Sequence, residues 1–288
     1  MKNIDKLYKK FSVSMCVYGG DNPDHFDIAL ESVVNQTLLP SEIVLVVDGP
    51  VPKQTNEIIS KYKKVCYEKN IRFCVYRFKH NKGHGIARRL SFEKCTNEYI
   101  ALMDADDISV NNRFEMQLQF ISTHSDVSIV GGNITEFICQ KNPRDISQKA
   151  GCRIVPERDN EIKEYMKKRC PMNQMTVMFN RTAVKFVGGY KDWYCDEDYY
   201  LWIRLALAGF IFANINEKLV DVRVGEEMYQ RRGGLKYFKS EARLQKYMLH
   251  HDMIGIDRYL INVGERLILQ VLMPNKIRGW IFKTLART

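Results

Sequence analysis

The sequence predicts an α/β fold: a mostly parallel sheet with helices on both faces, followed by a helical region. Three observations carry this. Apolar, β-branched runs alternate with segments of helical spacing through the first hundred residues. Those runs are apolar at consecutive positions, the pattern of strands covered on both faces. From Gly234 onward only helical spacing remains.

Residues 12–17 read as a short buried strand, and 26–36 as a helix with Phe26, Ala29, Leu30, Val33 and Val34 on one side. EIVLVVD (42–48) is a β-branched run and a buried strand. Residues 53–70 form a helix with Ile58, Ile59, Tyr62 and Val65 on one side, IRFCVYR (71–77) a strand, 83–95 a helix and EYIALM (98–103) a strand. Strands that alternate with helices pair in parallel, and such sheets bind ligands at the carboxyl ends of their strands. Tyr18, Asp48 and Asp104 therefore share one rim. Further on, 113–124 reads as helix, 127–137 as strand, then a polar loop to about Pro156, a charged helix (157–168), a strand (175–179), a loop ending in GGYKDWYCDED and a helix over 198–208. The division expected is a main domain, 1–233, and a C-terminal helical region, 234–288.

Apolar residues make up 45% of the 288, enough for a sizeable core and too many for a disordered chain. The net charge of +10 suits an anionic partner: nucleic acid, acidic lipid or a phosphorylated ligand. The eight cysteines form no C-x-x-C pair, which favours free thiols in a reducing compartment over a disulfide or zinc framework. The N-terminus lacks a signal-peptide apolar core, and no apolar run approaches the roughly 20 residues of a spanning helix. A cytoplasmic protein is expected. In the tail, Leu267, Ile268, Val271 and Leu272 make one apolar face. Ile277, Ile281 and Leu285 follow beside Trp280, interleaved with Lys276, Arg278, Lys283 and Arg287. This basic amphipathic pattern suits peripheral contact with an anionic membrane, at the inner face of the plasma membrane; packing on the domain or on a second subunit is the alternative.

The chemistry concentrates at three places. Asp104-Ala105-Asp106 ends a buried strand, and two carboxylates one residue apart can converge on a hard divalent cation, Mn²⁺ or Mg²⁺. The plainer reading has Asp107 or Ser109 capping the next helix. NKGHGIARR (81–89) sets two glycines at a helix start beside Lys82, Arg88 and Arg89, a phosphate-favouring arrangement or an ordinary glycine turn. His84 there reads as a packing or loop-facing residue. CDEDYYLW (195–202) opens a helix with acids, which is favourable for any helix and also offers a general base. YQRRGG (229–234) offers arginines for a diphosphate clamp, or a solvated basic loop.

Taken together, the strand ending in VYGGD, the strand ending in Asp48, NKGHGIARR, MDADD and EDYYLW resemble family 2 glycosyltransferases of GT-A fold, a Rossmann-like mixed sheet. The likeness runs over about 12–237. VVDGP, KYF and YQRRGG resemble amylovoran-type enzymes of bacterial exopolysaccharide synthesis. The resemblance implies a nucleotide-sugar donor, a UDP-sugar, and a glycan or lipid-linked acceptor. It implies that Tyr18 and Asp48 hold the base, and that Lys82 and Arg88 lie near the nucleotide. Asp104 would contact ribose or metal, Asp106 the metal, and Arg232 the diphosphate. Asp198 would be the catalytic base and Glu197 an acceptor contact, with Asp196 a rival base. The mechanism implied is one in-line displacement with inversion. The family often has two adjacent acids and a serine after its second strand; here Val47-Asp48-Gly49-Pro50 has one acid and a proline. Three alternatives stand beside this. A sugar nucleotidyltransferase would need a basic glycine-rich N-terminal loop, and Tyr18 to Pro23 has no basic residue. An RNA-binding protein would concentrate its charge in a stripe. A non-catalytic sugar-binding scaffold would not need the acids at 104, 106 and 198.

Overall fold

The computed structural model describes residues 9–139, 142–225 and 233–273. The alternating half folds as expected: β1 (Phe11–Tyr18), α1 (Pro23–Val34), β2 (Glu42–Asp48), α2 (Lys53–Glu68), β3 (Arg72–Arg77), α3 (His84–Lys94) and β4 (Tyr99–Met103). These strands lie in the order β3-β2-β1-β4, all parallel. Period two sorts their side chains between two cores. Val13, Met15, Ile43, Leu45, Ala101 and Met103 meet Phe26, Leu30, Ile59 and Phe114 on one face. Val44, Ile100 and Leu102 meet Phe92, Phe179 and Trp202 on the other.

The second half extends the sheet with mixed polarity. After β5 (Ile108–Ser109) and α4 (Arg113–Thr123) come β6 (Val127–Ile138), β7 (Lys149–Arg153), α5 (Asp159–Met166), a single 3-10 turn (Gln174–Thr176), β8 (Met178–Asn180), α6 (Arg181–Phe186), α7 (Glu197–Leu207) and β9 (Ile211–Val224). β8 runs antiparallel to β4 and β6, while β6 and β9 run parallel. β5 closes the far end against β9, and β7 pairs with β6.

Four features differ from the sequence reading. The strand expected at 175–179 begins as a 3-10 turn, and only Met178–Asn180 pairs. The polar loop before Pro156 holds β7, an edge strand without an apolar run to announce it. Helix α6 starts where the Asn180 side chain accepts from the amides of Thr182 and Ala183. β9 went unread, although Leu219 to Val224 alternates in its second half; the exposed Glu217 and Lys218 break the run midway.

The C-terminal helices α8 (Leu235–His250) and α9 (Ile256–Leu267) pack on each other and on the sheet domain, with Leu244 and Met248 completing the Trp202 core. Asn262 Nδ2 donates to Lys167 O at 2.8 Å and Arg266 Nη2 to Lys168 O at 2.7 Å. Polar residues Asn262, Arg266 and Gln270 thus fill the buried side of this segment, while Ile256, Leu260, Ile261, Ile268 and Leu272 are exposed. All eight cysteines are free thiols.

Candidate active site at the carboxyl rim of the sheet

The register of the parallel strands builds the site. Tyr18 pairs with Asp48, and Met15 with Met103, so the residues after β1, β2 and β4 emerge side by side. The loops after β1 and β2 touch. A Cβ on Gly19 would lie 2.7 Å from Pro50 O, so that position requires glycine, and one on Gly20 would displace the Tyr18 ring. Tyr18 is 39% exposed at the edge of the site. Its amide donates to Asp21 Oδ2 at 2.9 Å. Burial pushes the Asp21 carboxyl up to about 6, against that bond, with the charges of Asp106 and Asp104 adding to the rise.

Asp48 is buried and holds the next loop. Its Oδ1 accepts from the Lys82 amide at 2.6 Å and its Oδ2 from the Gly83 amide at 3.0 Å. Gly83 has φ +91°, a conformation that glycine takes without strain, and α3 begins directly after it. The Lys82 side chain is exposed on this loop. One turn into α3, Arg88 is buried and donates from Nη2 to Asp104 Oδ1 at 2.5 Å. Its Nε donates to His84 Nε2 at 2.9 Å. That leaves His84 Nδ1 to carry the hydrogen, which it donates to Glu197 Oε1 at 2.7 Å. Gly85 lets the start of α3 lie against α7, where an added Cβ would sit 3.6 Å from Glu197 Cβ.

The three acids after β4 part ways. Burial favours the neutral form of Asp104, but the Arg88 and His84 side chains outweigh it and hold the carboxyl below its usual range. Asp106 is exposed. Asp107 is buried and accepts from the Arg223 amide of β9 at 3.0 Å. It ties β9 to the β4 loop and does not cap α4, which starts after Asn112. Burial and then the charges of Asp106 and Asp104 raise the Asp107 pKa well above the usual carboxylate range.

At the head of α7, the three acids again divide. Asp196 turns toward α8; burial, then the charge of Glu241, pushes it up to about 8, opposed by the nearby Ser240, whose hydroxyl donates to Tyr194 O at 2.5 Å. Glu197 is buried and committed to His84. Asp198 Oδ1 accepts from the Tyr199 amide at 2.7 Å. Its Oδ2 accepts from the Gln174 side chain at 2.8 Å, with the Gln174 oxygen accepting from Arg88 Nη1 and Nε at 3.0 Å. This amide orientation is the one that gives both ends partners of opposite polarity. Burial, then Glu197, pushes the Asp198 carboxyl up to about 6.

Of the residues singled out in the sequence, Arg88, Asp104, Glu197 and Asp198 belong to one connected cluster, Asp48 and Lys82 shape the loop that leads into it, and Tyr18 and Asp106 lie on the same rim. Arg232 lies outside the described residues, as does the basic amphipathic stretch 276–287 of the tail. His84, read as a packing or loop-facing residue, instead bridges Arg88 and Glu197; Asp21 and Gln174 carry no such reading. The H-x-x-x-R spacing of His84 and Arg88 on a helix was the available signal for the first; nothing local marks the other two.

Among the described residues, no group of three or more histidines, cysteines or acids forms a closed metal cage. A divalent cation bound by one or two carboxylates and substrate phosphates needs none, and Asp104 with Asp106 offers that donor set. No described helix is long and apolar enough to cross a membrane.

An acid-bearing parallel half joined to a mixed extension is the architecture of GT-A glycosyltransferases. The structure of Staphylococcus aureus TarS 1–349 in complex with UDP-GlcNAc superposes with a TM-score of 0.65 at 16% identity, over 97% of this chain and 82% of that one. The chain belongs to glycosyl transferase family 2, whose sequence model matches residues 12–185; it is a glycosyltransferase. It is 34% identical to the Escherichia coli UDP-Gal:α-D-GlcNAc-diphosphoundecaprenol β-1,3-galactosyltransferase, over 96% of this chain and 97% of the relative. It is 31% identical to the amylovoran biosynthesis glycosyltransferase AmsE of Erwinia amylovora, over 95% and 98%.

Proposed function

We propose that this glycosyltransferase moves a sugar from a UDP-sugar to a hydroxyl of a lipid-linked glycan acceptor in cell-surface polysaccharide synthesis, inverting the anomeric centre. The observation that carries the reading is the continuous path Asp104–Arg88–Gln174–Asp198, which joins the strand-end acids to a carboxyl that titrates near 6. The E. coli relative, named for UDP-galactose and a diphosphoundecaprenol acceptor, supports the donor nucleotide and the lipid-linked acceptor.

In this reading the acceptor oxygen attacks the anomeric carbon as the bond from that carbon to the diphosphate breaks. Asp198, ionised above pH ~6, takes the acceptor proton. Asp196 faces α8 and is set aside as the base. Lys82 neutralises the departing diphosphate, and Arg88 holds Asp104 charged. Asp104 and Asp106 would hold a divalent cation, which supplies positive charge to the leaving group when bound. Tyr18 lies against the base. Asp48 has two of its four acceptor positions filled by the loop amides, so its first role is to shape the Lys82 loop, with its remaining lone pairs available to a uracil imide. Glu197 fixes the His84–Arg88 pair. The sheet domain to about 233 carries this chemistry. The helical region after it offers the exposed apolar residues of α9 to the membrane that holds the acceptor, placing the enzyme at the cytoplasmic face.

The test is transfer from UDP-galactose, UDP-glucose and UDP-GlcNAc to a short-chain lipid-diphosphate sugar acceptor, with the product anomer read by NMR. Transfer with inversion is expected. Chelation or Asp106→Asn should abolish most of it, and Asp198→Asn should cost ~10²–10⁴-fold in kcat. Folded Asp198→Asn with full activity, or a retained anomer, rejects the reading.

A further inference from the structure

Gln174 is absent from every role assigned by the family pattern, yet it occupies the centre of the site. The backbone around it is fixed from below. Asn173 is buried and donates from Nδ2 to Gly132 O at 2.8 Å. Thr176, also buried, donates from Oγ1 to Asn173 O at 2.6 Å and accepts from the Gly132 amide at 3.1 Å. A Cβ on Gly131 would lie 3.3 Å from Thr176 Oγ1 and 2.8 Å from Met172 Cε, so the segment sits tight on β6. The 3-10 turn is therefore a rigid mount, and the first side chain it projects is Gln174.

A primary amide is suited to this place because it has a donor end and an acceptor end on one rigid plane. Arg88 can only donate, and an ionised Asp198 can only accept. Gln174 satisfies both at once, by 3.0 Å and 2.8 Å bonds. An acid would repel Asp198, and a lysine would repel Arg88.

We propose that Gln174 is the positioning residue of the transferase. It fixes Asp198 Oδ2 by donating to it, favours the ionised form that can act as base, and links that base to the Arg88–Asp104 pair on the donor side. The proposal rests on the reading of Asp198 as the base and adds the residue that orients it.

The test uses the full chain and three variants: Gln174→Leu, which removes both bonds; Gln174→Glu, which keeps the shape and sets a carboxyl against Asp198; and Gln174→Asn, which keeps the amide on a shorter arm. Thermal unfolding is followed for each, and kcat and KM are measured from pH 5 to 9. Gln174→Leu is expected to lower kcat ~10–100-fold with donor KM nearly unchanged. Gln174→Glu should move the acid limb of the kcat profile up by ~1 unit or more, since two facing carboxyls share a proton. Gln174→Asn should recover part of the loss. A merely structural role would lower Tm and leave the acid limb in place. If Gln174→Leu and Gln174→Glu fold and show wild-type kcat with an unmoved acid limb while Asp198→Asn is inactive, the positioning role is overturned and the base assignment stands. If Asp198→Asn is itself fully active, both fall.

Discussion

Asp196 and Asp198 are two residues apart and play different parts because their surroundings differ. Each is an acid whose pKa is raised in the folded state, so each binds its proton more tightly folded than unfolded. Stability contributed this way falls as pH rises from the unfolded carboxylate value near 3.9 to the folded value, and the full cost remains above it. For Asp196 that window ends near 8, and its Oδ2 is buried without a partner. Asp196→Asn should therefore raise Tm, little at pH 5 and most above pH 8, and leave kcat within about twofold. Thermal unfolding at several pH values checks this; an advantage that is constant with pH would reject the cause. For Asp198 the same cost fits the proposed role, a base that ionises near neutral pH.

At the level of elements, the start of α3 is held by a strand-end acid instead of a capping side chain of its own. Gly83 is the N-cap position and has no side chain to accept from the first turn. Asp48 accepts the loop amides from across the rim, and the positive φ of Gly83 turns the chain into the helix. Asp48→Ala should free the 81–83 loop, raising the donor KM ~10-fold with a smaller change in kcat, read by steady-state kinetics. A change confined to kcat would place Asp48 elsewhere in the mechanism. The DADD segment shows how a two-residue element sets geometry. β5 and Asp107 pin this loop to β9 at Asp221 and Arg223, which leaves Asp104 free to meet Arg88 and Asp106 to face solvent.

Across the whole molecule, α8 sends Leu244 and Met248 into the core, while α9 is amphipathic with its polar side inward. Glu241, Asn262, Arg266 and Gln270 bond among themselves and to the α5 end, and the apolar residues of α9 remain outside. An exposed apolar row of this size marks a surface that meets something apolar. With the proposed lipid-linked acceptor, the membrane is the partner we propose for it. Wild-type protein should float with phosphatidylglycerol vesicles, and the combined Ile256→Ser, Leu260→Ser and Ile261→Ser variant should lose most of that binding while keeping activity on a soluble acceptor. Retention of vesicle binding, or a concentration-dependent dimer that the variant abolishes, would redirect the surface to another role.

Much of this was legible in the sequence because its causes are local. Buried β-branched runs fixed four parallel strands, and a strand end followed by acids located the rim at Tyr18, Asp48 and Asp104. The same patterns, with the motifs MDADD and EDYYLW among them, were enough for the family. Other features had no local cause. β9 is interrupted by Glu217 and Lys218, and only its pairing with β6 makes it a strand. Whether Glu197 or Asp198 could serve as base depended on which of them His84 would claim, a contact between residues 113 apart in sequence. Asp107 could be read as a helix cap until the fold brought Arg223 to it. Gln174 had no signature at all, since its meaning lies in standing between an arginine from α3 and an aspartate from α7. The sequence by itself determined the four parallel strands of the first half and which acids they deliver to the rim, because hydrophobic period is a property of short segments. Only the tertiary structure decided which acid is paired with Arg88, which is tied to the backbone of β9 and which has its pKa raised beside Gln174, because the charge state of a carboxyl is set by burial and by neighbours brought from distant parts of the chain.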